Sequence, residues 1–113
     1  MILFAAKMTL ICQFSLYGNP FISTAISFDE NLHPGSEVEV TYYGKKTNFP
    51  LRVNSIEENE IWNLEIAPDD PDNQLNLKIY QHANGTYPAK LFNPSIPIGN
   101  ESEGICRPQA VTH

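Results

Sequence analysis

The chain predicts an all-β fold: a small antiparallel β-sandwich of 7–8 strands, with a small β-barrel as the alternative. Three observations predict it. Runs that alternate apolar and polar residues recur roughly every eight to twelve positions. Clusters of Gly, Pro, Asn and Asp separate those runs. No stretch carries a helical period. At 113 residues the length is that of one domain, able to bury about 60–70% of its unfolded surface without help from a metal.

The first two strands form a hairpin. Leu10, Cys12, Phe14 and Leu16 alternate with Ile11, Gln13, Ser15 and Tyr17. Gly18-Asn19-Pro20 turns the chain, and Ile22, Thr24, Ile26 and Phe28 then alternate with Phe21, Ser23, Ala25 and Ser27. A secretory signal cleaved after Ser23-Thr24-Ala25 is the competing reading. Lys7 inside the apolar run, Gln13 and the turn all speak against it. Residues 1–8 are therefore set apart as a signal-peptide remnant or disordered N-terminus, and 9–113 as the domain. No run is long enough to span a bilayer as a transmembrane helix.

Further strands follow in order. After the turn signal His33-Pro34-Gly35, Glu37–Tyr43 points Val38, Val40 and Tyr42 inward, which leaves Tyr43 outward. Gly44-Lys45-Lys46 turns into Thr47–Ile56, with Phe49, Leu51 and Val53 inward and Pro50 marking an edge. Glu60–Ala67 turns Trp62, Leu64 and Ile66 to the core, and Gln74–Gln81 does the same with Leu75, Leu77 and Ile79. Asn84-Gly85 favours a tight hairpin turn before Thr86–Phe92. Residues 93–113 read as a Pro-rich tail with a short strand near Ile105–Val111.

Cys12 and Cys106 are the two cysteines, and they are expected to pair as a disulfide. Closing so long a loop restricts the unfolded chain by about 4–5 kcal/mol in the chain-entropy model. A disulfide places the domain in an oxidising compartment, so a secreted or periplasmic location follows.

Thirteen acids against seven bases give a net charge of −6. Residues 1–28 carry one charge, Lys7, so all the acidity lies beyond them. Such a surface repels a phosphate backbone, and no basic cluster compensates; nucleic acid is not an expected partner.

Catalytic signatures are lacking. There is no Gly-x-Ser-x-Gly, and His33, His82 and His113 share no metal-ligand spacing. Asp69, Asp70, Asp72 and Asn73 crowd oxygen ligands into one loop that could take Ca²⁺, although EF-hand spacing is not met. No other cofactor is expected. Tyr17, Tyr43 and Tyr80 read as outward tyrosines, able to bury contact area at low entropic cost. Ile96 and Ile98, between Pro94 and Pro97, form a second candidate contact. The reading these residues favour is a non-enzymatic extracytoplasmic protein-binding or adaptor module that uses a sheet face or edge, the edge also allowing a homodimer. The alternative is a ligand-binding β domain that recognises Ca²⁺ or carbohydrate through loop 69–73 and the tyrosines.

Overall fold

The computed structural model describes residues 8–16, 18–29, 31, 33–57, 61–81, 85–93 and 101–109. Eight strands run in sequence order: β1 (Met8–Leu16), β2 (Asn19–Phe28), β3 (Pro34–Tyr42), β4 (Lys45–Ile56), β5 (Trp62–Ile66), β6 (Leu75–Ile79), β7 (Tyr87–Phe92) and β8 (Glu101–Gln109). Each pairs antiparallel with its sequence neighbour, and β8 returns to pair with β1. The sheet is a closed up-and-down barrel. Of the two architectures the sequence allows, the barrel is the one adopted and the sandwich is not.

Closure has identifiable causes. The β1–β8 ladder runs from Thr9↔Gln109 to Phe14↔Gly104, with Cys12 directly opposite Cys106. Their sulfurs lie 1.97 Å apart, a disulfide that joins the first strand to the last. Register shifts at Phe14/Ser15, Ile26/Phe28 and Val53/Ser55 supply the local bends that coil a sheet onto itself. Eight strands enclose an interior just wide enough for side chains to fill.

Alternation decides what fills it. Leu10, Phe14, Ile26, Phe28, Trp62, Leu64, Ile66, Leu77, Ile79 and Leu91 are essentially inaccessible. Burying each large apolar side chain contributes about 1.5–3 kcal/mol. Trp62 stands edge-on to Phe28 (centroids 5.5 Å apart) and to Tyr87 (6.2 Å). From β8 the interior receives only small groups: Ser102, Gly104 and Cys106. Gly104 makes room for Phe14, because a Cβ there would stand 2.5 Å from the Phe14 ring and 2.3 Å from the Gln13 carbonyl oxygen.

Three details differ from the sequence reading. β8 spans nine residues of the expected tail and begins at Glu101, four residues before the short strand expected there. Val53, expected inward and paired with the buried Leu64, is 40% exposed, beside a register shift in β4. Tyr42, also expected inward, is 52% exposed. It stands at the end of β3, one inward position beyond the buried Val40. β4 meets β5 only from Leu51 onward (Leu51↔Ile66), so residues 45–49 pair with β3 alone and carry the β3–β4 hairpin past the rim.

Candidate functional site

The projecting hairpin is the most distinctive surface. Tyr42 pairs with Lys45, so Tyr43 and Gly44 form a two-residue turn. Both have positive φ, 48° for Tyr43 and 83° for Gly44, the combination of a type I′ turn. Glycine accepts that conformation freely; an L-residue with a bulky side chain pays about 1–2 kcal/mol for it. The sequence reading placed the turn one residue later, at Gly44-Lys45-Lys46, because Asn rather than Tyr is usual at this position.

Tyr43 is 65% exposed. Its ring is 4.6 Å from Tyr42 and 6.3 Å from Phe21, and Phe21 in turn is 6.2 Å from Tyr42. The Tyr43 N–H donates to the Phe21 carbonyl oxygen at 3.0 Å, so β2 fixes the turn's position. Phe21 sits beside the β1–β2 register shift and is buried although it alternates with inward residues. The two tyrosines and Phe21 cover each other at the hairpin tip.

Beneath them runs a polar row across the outer face, Gln13↔Ser23↔Thr41↔Lys46 on β1 to β4. Gln13, Ser23 and Thr41, with Phe21, Tyr43 and Gly44, line a solvent-open groove of about 160 Å³.

The other candidates fall elsewhere. Tyr80 follows β6 directly, and its N–H donates to the Pro88 carbonyl oxygen at 2.8 Å. Strand alternation puts it at the end of the barrel opposite Tyr43, half-buried. Tyr17, Ile96 and Ile98 lie outside the described residues. Loop 69–73 is at the same end as Tyr43 but is organised around itself. The Asp70 carboxylate accepts the Asp72 N–H at 3.1 Å and the Asn73 amide at 2.7 Å, a pattern that stabilises a turn. Among the described residues, no three His, Cys, Asp or Glu side chains converge as a metal site would require.

One buried carboxylate lies at the rim where the β4–β5 ladder starts. Glu65 points outward from β5 but is covered by Arg52 across the β4 ladder and by Gln74, and both side chains donate to it. The Arg52 guanidinium holds its carboxyl below the ordinary glutamate range; burial opposes this and the Gln74 amide adds to it. The Asn93 amide donates to the Gln74 carbonyl oxygen at 2.6 Å, which fixes Gln74 over the glutamate. This network secures the rim from which the arm departs.

The sequence reading expected Tyr43 outward, and it is exposed; it expected Tyr42 inward and singled out neither Tyr42 nor Phe21 as a contact. The pair Tyr-Gly between two alternating runs was the available signal for a hairpin tip. Among the described residues there is no helix, and so none long and apolar enough to cross a membrane. Comparison with protein-family models, curated proteins and solved structures gives no match.

Proposed function

We propose that this barrel is a non-enzymatic protein-binding module of an oxidising, extracytoplasmic compartment, and that its contact surface is the aromatic tip of the β3–β4 arm. The observation that carries the reading is Tyr43: a bulky residue in a backbone conformation that suits glycine or asparagine, with its ring largely in solvent. Strain kept at an exposed position is most simply explained by what the side chain contacts there. Neighbouring exposed tyrosines are typical anchors of protein interfaces. The cysteine bridge supports an oxidising location. Around the barrel body closure pairs each strand on both sides, so a face or the arm, rather than a general sheet edge, is the surface on offer.

The test is differential capture from the extracytoplasmic fraction of the native host. A partner retained by the wild-type chain and by Tyr80→Ala, at the opposite end, is expected to bind Tyr42→Ala/Tyr43→Asn at least about 30-fold more weakly, as loss of an interface anchor would cause. Equal retention by that double variant would sink the proposal.

The groove favours a second reading. A hydroxyl and amide floor (Ser23, Thr41, Gln13) between aromatic walls (Phe21, Tyr43) suits a single sugar ring. Quenching of tyrosine fluorescence by free monosaccharides, saturating and lost in Tyr43→Asn, would move the assignment to carbohydrate.

A further inference from the structure

The arm carries one sheet edge that barrel closure leaves open, and the chain direction shows which groups it offers. Main-chain groups of an antiparallel strand face its two neighbours alternately. Tyr42 and Lys45 flank the two-residue turn and so face each other, as do Val40 and Thr47, and Val38 and Phe49. Thr41, opposite Lys46, faces β2 instead, as Tyr43 does through its bond to Phe21. Lys46 and Asn48 must therefore aim both N–H and C=O away from β3. Pro50 shares that parity, and its outward carbonyl accepts the Ala67 N–H at 2.8 Å, just past the end of β5. Above Pro50, among the described residues, no strand pairs with this side of β4.

The ledge is also the basic spot of an acidic chain. Lys45 and Lys46 are two of the seven bases in a chain of net charge −6, and residues 44–49 contain no acid. The Glu39 carboxylate is 4.0 Å from the Lys46 ammonium, both well exposed, so water and salt screen the pair and leave Lys46 available. Lys45 and Lys46 project to opposite faces of the edge, as successive strand residues do. Edge lysines normally discourage strand addition, and against a second copy of this chain they would, since both edges carry the same charges. An acidic strand turns that barrier into attraction.

We infer that the outer edge of β4, residues 45–49, takes an extended acidic segment of a partner protein as an added strand. This rests on the protein-binding reading and names the class of partner. Lys46 and Asn48 supply the main-chain hydrogen bonds. Lys45 meets acidic side chains on one face of the added strand and Lys46 those on the other, and Tyr42 and Tyr43 adjoin the added segment at the tip. Pro50, with β5 behind it, ends the site.

The test titrates the ¹⁵N-labelled full chain with an end-blocked octapeptide of repeating Glu-Glu-Thr-Thr, which carries acids on both faces of a strand. The largest shifts are expected at the Lys46 and Asn48 amides, with binding weakened at least about tenfold by the Lys/Thr counterpart, by N-methylation of alternate peptide amides, and by added salt. Asn48→Pro deletes only an outward N–H, leaves the β3 ladder intact and should abolish binding. Lys45→Glu/Lys46→Glu, a surface change, serves if the proline variant fails to fold. Absence of shifts at Lys46 and Asn48, or equal binding of the Lys/Thr peptide, overturns the inference. Shifts confined to Phe21, Tyr42 and Tyr43 that survive N-methylation and Asn48→Pro also overturn it, while leaving the aromatic tip as the binding surface.

Discussion

Trp62 and Tyr42 both stand at inward positions of their strands, yet Trp62 is 2% exposed and Tyr42 is 52% exposed. In the barrel body each inward side chain faces another across the interior, so alternation becomes burial. On the arm the same alternation continues for residues 45–49 of β4 and their β3 partners, but β5 does not reach that far. On β3 the inward face stays dry at Val38 and Val40 and opens to solvent at the tip, at Tyr42. Period-two patterning thus reports which side of a sheet a residue occupies; only the neighbouring strands decide whether that side is dry.

The largest expected effect breaks this comparison most directly. Trp62→Ala should cost about 4 kcal/mol, read as a fall in the denaturation midpoint, whereas Tyr42→Ala should cost within about 0.5 kcal/mol, as exposed substitutions do. Equal losses would mean that the arm packs as the body does.

A smaller effect concerns the rim. Because the Glu65 carboxyl is held below its ordinary value of 4.5, its contribution is present above that pH and disappears as pH falls through the lower folded value. Glu65→Gln should cost about 1–2 kcal/mol at neutral pH and flatten the acid limb of melting temperature against pH. An unchanged acid limb would show that the Arg52–Glu65 pair is too solvated to matter.

The smallest effect has the opposite sign. Tyr43→Asn relieves the positive φ and should stabilise the chain by about 0.5–1 kcal/mol, seen as a modest rise in melting temperature. A loss instead would show that the ring's contacts with Tyr42 and Phe21 outweigh the backbone cost, and that the aromatic tip serves the fold.

Seven of the eight strands were legible because inward apolar residues alternate with polar ones. β8 was legible only in part, since its inward residues are Ser102, Gly104 and Cys106, chosen for smallness beside Phe14 and the disulfide. A strand that makes room shows no apolar stripe. Cys106 was the one clue, and it pointed to pairing with the first strand. The choice between sandwich and barrel turned on that long-range closure, which local patterning does not encode. At the site, Tyr43 could be read as outward from its neighbours. Tyr42 could not, because exposure at an inward position depends on where β5 stops. Phe21 was hidden by the bulge that buries it.

The Cys12–Cys106 bond spans 94 positions of sequence, and so encloses every connection between consecutive strands. Hydrolysis of one peptide bond in any of those connections therefore yields two polypeptides that stay covalently joined and hydrogen-bonded in register. Such a nicked barrel would run as one species until reduced, heavier only by a water molecule. A protease that clips a loop marks the molecule without dismantling it.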